Sequence, residues 1–221
     1  MSAVSRYRPT DAGARSRPRA GARGPRARAQ RRRRRIIVLS LVAVAIAVVA
    51  ALGPIEREIR SITLPLRDAD VIRQQASAKG LDPALIAAMI YQESKFENRT
   101  SAAGATGLMQ ILPSTARAIA KRSGGTAFVP SDLATPSVNI AYGAYYLRML
   151  IDHYGGNAVP AIAAYNAGEQ NVDAWVRRAG GTARFDPSAD IPFAETRHYV
   201  RSVLDHQTQY RDNYPKELGY Q

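Results

Sequence analysis

The sequence predicts an all-α domain over residues 66–214, set behind a single apolar helix and a disordered basic tail. Three observations carry that expectation. From Leu66 onward the chain reads as helical segments broken by Gly and Pro, with no alternating strand pattern and no internal repeat. Residues 36–52 form an uncharged run in which Ser40 is the only polar side chain. The net charge of +13 is concentrated in residues 1–35, where thirteen arginines face a single acid, Asp11.

Taken in order, residues 1–35 are Arg, Ala, Gly, Pro and Ser with little to bury, a composition expected to stay disordered. As a helix, residues 36–52 would span ~25 Å, slightly short of the ~30 Å hydrocarbon layer unless the flanks snorkel or the membrane thins. Arg31 to Arg35 stand immediately before this run, so the positive-inside rule places the N-terminus in the cytoplasm and the rest of the chain outside. A transmembrane segment over 36–53 is therefore expected, with 54–65 as linker. The alternative is a cleaved signal peptide ending near Val48-Val49-Ala50-Ala51 and a secreted domain.

Within the domain, a helix over 68–79 ends at Gly80. Asp82-Pro83 then supplies an N-cap and a first-position proline for a helix reaching Ser94, with Leu85, Ile86, Met89 and Ile90 as its apolar face. Further helices are expected over 113–121, 136–154, 158–167, 171–178 and 194–210, with 215–221 as a C-terminal tail.

Composition excludes several function classes. Beyond residue 35, eighteen basic residues face seventeen acidic ones, so the domain has no electrostatic footprint for nucleic acid. There is no cysteine, which removes thiol catalysis and thiolate metal sites. His153, His198 and His206 lack zinc-ligand spacing, so neither a metal nor an organic cofactor is implied.

Glu93 is the side chain that invites chemistry. It closes a helix of largely apolar residues, with Met89 one turn back and Ile90 and Phe96 close by. Desolvation and the negative end of the helix dipole would both raise its pKa, as a general acid working near neutrality requires. The loop that follows is rich in small residues, including Gly104 and Gly107, which let backbone approach a ligand or a neighbouring helix. Gln110 can donate to and accept from sugar hydroxyl and acetamido groups. Alone, a glutamate at a helix end is ordinarily a solvated side chain.

Order and spacing change that weighting. Glu93-Ser-x-Phe, then Ser101-x-x-Gly-Ala-x-Gly-Leu-Met-Gln-x-x-Pro-x-Thr-Ala116, resembles the soluble lytic transglycosylase (SLT) family, whose domain has a goose-type-lysozyme-like fold. Asn139-Ile140 with Gly143, Ala163-Ala-Tyr-Asn-Ala-Gly168 and Glu195-Thr-Arg-His-Tyr-Val200 match further blocks of that family in the same order. The chain departs from the common pattern in one place: between Glu93 and Gly104 it is one residue shorter, which bears on Ser101.

The resemblance implies cleavage of the β-1,4 bond between N-acetylmuramic acid and N-acetylglucosamine in peptidoglycan glycan strands, with Glu93 as acid and then base and a 1,6-anhydro end as product. It further implies that Ser101, Met109, Gln110, Tyr165, Asn166 and Tyr199 contact substrate. Tyr199 would face Glu93, and Met109 would line the cleft. Gly104 and Gly107 would set backbone geometry, and Glu195 would support Tyr199 or Arg197. Two other outcomes stay open: a hydrolytic muramidase, for which Glu97 or Glu169 could supply a second carboxylate, and a wall-binding module without turnover.

Overall fold

The computed structural model describes residues 33–34, 37–46, 48, 62–124 and 127–220. The sequence reading of residues 1–35 lies outside them apart from Arg33 and Arg34, and so do parts of the 36–53 segment and of the linker. Residues 37–46 are helical, with Ile37, Leu39, Leu41 and Ile46 exposed. Among the described residues no helix is long and apolar enough to cross a membrane. Residues 1–55 and 56–221 form two units, and the second holds the folded domain.

That domain is helical: α1 (Ala69–Lys79), α2 (Pro83–Ser94), α3 (Pro113–Ser123), a 3-10 turn (Pro130–Ala134), α4 (Pro136–His153), α5 (Ala158–Ala167), α6 (Glu169–Ala179), a one-turn α7 (Pro187–Asp190) and α8 (Ala194–Asn213). The two short elements were not expected from sequence. Neither has enough residues to show a period of 3.6.

Two helices form the centre. In α2 every residue from Ala84 to Ile90 is buried, and in α5 Pro160 to Ala164 are. Both are apolar on all sides, the pattern of a helix surrounded by protein. Leu85, Ile86, Met89 and Ile90 each contribute ~1.5–3 kcal/mol by leaving water. Around them, α8 lies along α2 and also meets α5, α4 packs on α1 and α5, and α6 packs on α5. Polar faces such as that of α6 look outward, with only Val172 and Trp175 of that helix buried.

The start of α2 is fixed as its sequence anticipates. The Asp82 carboxylate accepts from Ala84 N at 2.9 Å, and Pro83 occupies the first turn. The structure adds a clasp. Gln207 donates to Asp82 Oδ2 at 2.6 Å, and Arg211 and the Tyr220 hydroxyl bind the same carboxylate. Residues 215–220, read as a tail, thus pack onto the domain, and Leu218 is buried in its core.

Between α2 and α3 the chain makes a looped excursion without strands. Its backbone doubles back through reciprocal bonds between Thr106 and Ile111, each 3.0 Å, and a bond from Ser101 N to Ala105 O at 2.8 Å. One glycine here is obligatory. Gly107 sits at φ +82°, and a Cβ there would lie 2.0 Å from Asn139 Nδ2 and 2.6 Å from the Leu133 carbonyl oxygen. Left-handed backbone and missing space exclude any side chain together.

Candidate active site

Glu93 sits in the last turn of α2, where the sequence put it, partly buried. Its pKa is raised from the ordinary glutamate value to about 7. Burial drives the rise, against the opposing effect of a hydrogen bond from Tyr199. That bond runs from the Tyr199 hydroxyl to Glu93 Oε1 at 2.5 Å and joins α2 to α8 across 106 positions of sequence. In it Oε1 accepts from the tyrosine. Near neutral pH such a carboxyl is populated in both forms, the condition for donating a proton and then removing one.

Tyr199 and Tyr165 both feel the Glu93 charge. Burial first, and then that charge, push their hydroxyls well above the ordinary phenol value, so both stay protonated donors. Tyr165 donates to the Met109 carbonyl at 2.9 Å, which ties α5 to the loop before α3. Met109 is itself held at its N–H by Asn139 Oδ1, 2.7 Å away. Its side chain is fully buried against Gly143, where a Cβ would come within 2.3 Å of its sulfur. The structure therefore gives Met109 a core side chain and a backbone carbonyl held by Tyr165. The expectation of a cleft-lining thioether differs because sequence does not show how closely α4 approaches.

Gln110 adopts φ +47°, uncommon for a residue with a Cβ. Its amide donates to the carbonyls of Gly107 at 2.8 Å and Arg99 at 3.0 Å, so its two N–H groups shape the loop and its carbonyl oxygen remains as an acceptor. Ser101 likewise works within the loop, its hydroxyl accepting from Ala105 N at 3.1 Å. Gly104 has φ +81° with open space around it. Asn166 is exposed and accepts at Oδ1 from Thr196 at 2.8 Å. Glu195 is exposed in the first turn of α8. On that turn the tie to Asn166 comes from Thr196, and Arg197 is held by the Ile191 carbonyl at 2.6 Å.

Three residues that the sequence reading named within the family blocks without giving them a role hold this arrangement. Ser94 is buried beside Glu93 and donates between the carbonyls of Ile90 at 3.1 Å and Leu108 at 2.7 Å, which pins the loop to the end of α2. Asn139 is fully buried and also donates to the carbonyls of Thr106 at 2.8 Å and Leu133 at 3.0 Å. Thr196 is the third. Each left a weak signal: a lone small polar residue inside an apolar helical face, or one turn before a tyrosine of interest.

No other carboxylate contributes to the Glu93 shift. Glu97 is exposed on the loop, and Glu169 acts on Tyr146 and Tyr154. Among the described residues no group of three or more His, Asp and Glu side chains could hold a metal ion.

Comparisons with known proteins agree with the helical fold. Residues 70–186 match the model of the transglycosylase SLT domain. The matched span carries Glu93 and the Tyr165 block but stops short of α8, so the pairing of Tyr199 with Glu93 rests on the structure. The soluble lytic murein transglycosylase of Escherichia coli (strain K12) is 36% identical over 152 residues, covering 66% of this chain and 23% of that protein. The membrane-bound lytic murein transglycosylase C of Salmonella arizonae is 32% identical over 164 residues, covering 64% and 45%. The crystal structure of an inactive glutamate-to-glutamine mutant of the lytic transglycosylase Slt from Pseudomonas aeruginosa superposes with a TM-score of 0.63 at 33% identity, covering 71% of this chain and 26% of that one. The chain thus spans about a quarter to under half the length of these relatives. Because the family match extends over more than half of the chain and includes the buried glutamate with its loop, this protein belongs to the transglycosylase SLT domain family.

Proposed function

We propose that this protein is a peptidoglycan lytic transglycosylase that uses Glu93 as its single catalytic carboxyl group. One observation carries the reading: Glu93, at the end of the buried helix α2 and inside the span that matches the SLT domain, accepts the Tyr199 hydroxyl at 2.5 Å, and burial raises its pKa to about 7. A glycosidase that activates water ordinarily needs two carboxylates. An intramolecular nucleophile needs only one, because its effective molarity is already high.

In the proposed sequence, the proton on Glu93 passes to the glycosidic oxygen as the bond from the muramic C1 to that oxygen breaks. The substrate's own acetamido oxygen stabilises the cation. The Glu93 carboxylate then takes the proton from the muramic 6-hydroxyl as O6 bonds to C1. Glu93 ends protonated, no water is consumed, and the product carries a 1,6-anhydro end. Tyr199 orients the carboxyl throughout. Gln110 through its free carbonyl oxygen, Asn166 and Ser101 are the proposed sugar contacts, and Tyr165 with the Met109 carbonyl forms the wall beside the reacting unit.

The proposal includes an anchor. The apolar side chains exposed along residues 37–46 and the arginine block before them fit a single membrane pass, with the N-terminus cytoplasmic and the domain facing the wall. Digestion of purified peptidoglycan by the full chain and by Glu93→Gln, with muropeptides weighed by mass spectrometry, tests the reading. Anhydro ends made only by the wild type are expected. Reducing ends, heavier by one water, would indicate a muramidase, and no cleavage by either folded protein would indicate a binding module.

A further inference from the structure

The chain enters the domain through a short strap, residues 63–65, that ties α2 to α8. Three successive backbone carbonyls of the strap each accept from a tyrosine hydroxyl. Thr63 O accepts from Tyr91 of α2 at 2.9 Å, Leu64 O from Tyr214 just past α8 at 2.6 Å, and Pro65 O from Tyr210 of α8 at 2.7 Å. The Leu64 side chain is buried in the core. A connecting segment ordinarily runs over the surface with its carbonyls in water. Three capped carbonyls and a buried leucine within three residues mark a docked element instead.

The rings that hold the strap also flank Glu93. In sequence the acid lies between Tyr91 and Phe96, and both of those rings pack on Tyr210, with centroids 6.2 and 6.1 Å away. Tyr214 stacks on Tyr210 at 5.8 Å, and His206 of α8 lies against Tyr91 at 4.4 Å. The chain here needs bracing. Directly after α2, Lys95 and Phe96 both adopt left-handed backbone, φ +53° and +64°, which is costly for a residue with a Cβ and persists only where the surroundings impose it. The Lys95 N–H closes on the Tyr91 carbonyl at 2.9 Å, and Phe96 is buried against Tyr210. A staple needed for stability alone could join α2 and α8 anywhere, as the Asp82 clasp does at the far end. This one takes hold on both sides of the acid.

We infer that the strap is a positioning element for the reaction: docked on Tyr91, Tyr210 and Tyr214, it braces the left-handed turn after α2 and so holds the Glu93 carboxyl at depth against Tyr199. Leu64 and Tyr91 are positioning residues and touch no substrate. The inference rests on Glu93 as the reacting acid and goes beyond it by making the segment through which the chain enters the domain part of what orients that acid. With the strap lifted, water reaches the end of α2 and the burial that raises the Glu93 pKa is reduced. The titratable groups coupled to Glu93, Tyr199 of α8 and Tyr165 of α5, stay in place.

The test uses the full chain with two uncharged changes. Leu64→Asn makes docking of the strap costly, and Tyr91→Phe removes one hydroxyl while keeping its ring. Hydrogen exchange at residues 62–68 reports lifting of the strap, and circular dichroism reports the fold. On peptidoglycan strands, Leu64→Asn is expected to lower kcat about tenfold with KM unchanged and to move the alkaline limb of the kcat profile about one unit toward acid. Tyr91→Phe is expected to act in the same direction by about threefold. Should Leu64→Asn unfold, Tyr91→Phe combined with Tyr214→Phe carries the same readings. Faster exchange in the strap with kcat and the pH limb at wild-type values would overturn the inference, and so would a loss carried by KM. A second readout is independent of cleavage: titration of the Glu93 carboxyl by carbon-13 NMR, its signal assigned by loss in Glu93→Gln. A wild-type pKa of about 7 that falls by about one unit with Leu64→Asn supports the brace even if no strand is cleaved, an outcome that would count against the proposed function instead. A Glu93 pKa indifferent to the strap would overturn the inference.

Discussion

The two ends of α2 each hold a carboxyl that accepts from a tyrosine hydroxyl, and the two are tuned in opposite directions. At the start, burial pushes Asp82 up, but donors on Tyr220, Gln207, Ala84 N and Arg211 together outweigh it and leave its pKa below the ordinary value. At the end, burial pushes Glu93 up and Tyr199 alone opposes it, so the value settles at about 7. The helix dipole adds the same contrast, favouring an anion at the first turn and disfavouring it at the last. What separates the two carboxyls is both the number of donors each receives and the deeper burial of Glu93.

The largest effect that sharpens this contrast is at Glu93. Replacing it by Gln is expected to lower the turnover of peptidoglycan by about a thousandfold or more, since a positioned acid–base group contributes on that scale. Circular dichroism should show the fold unchanged. Near-full turnover would assign the chemistry to another group.

At the other end, Asp82→Ala removes the cap and the clasp together and is expected to cost about 3 kcal/mol of unfolding free energy, measured by urea titration. Activity per folded molecule should persist at low temperature. If stability held while activity collapsed, the assignment of roles to the two ends would be reversed. The Asp82 contribution is present above the unfolded aspartate value near 4, and it is lost as pH falls through the depressed folded value.

Glu93 predicts the opposite pH dependence. Its folded pKa lies above its unfolded one, so its contribution is fully present below about pH 4.5 and lost as pH rises to about 7. Glu93→Gln should therefore gain stability relative to wild type between pH 4 and pH 8 by about 2 kcal/mol, discounted for partial exposure. A difference that does not vary with pH would mean that burial does not tune this group.

The smallest expected effect is that of Tyr199→Phe. Losing the one donor that lowers the Glu93 pKa should move the alkaline limb of the activity profile upward by about one unit. A shift downward would show that the tyrosine favours the protonated form instead.

Much of this was legible along the chain. Asp82-Pro83 marked the start of α2, the apolar run of that helix marked its burial, and the order of blocks around Glu93, Gly104, Gly107 and Gln110 marked the family. The wider role of Gln110 was not legible, since its bonds to the Arg99 and Gly107 carbonyls depend on a loop that doubles back. Nor was the burial of Met109, which follows from a glycine thirty-four positions later on α4.

By itself, then, the sequence determined the helices, the caps, the candidate acid and the family, because each is written in nearest neighbours and local spacing. The tertiary structure supplied the bond behind the Tyr199–Glu93 pairing that the resemblance implies, and it alone decided that the chain's last residues clasp Asp82 and that Arg122 and Glu169 share a cavity. The physical reason is common to all three: a carboxyl's proton affinity and a cavity's charge depend on groups within a few ångströms, and folding brings those groups from more than forty to more than a hundred positions away.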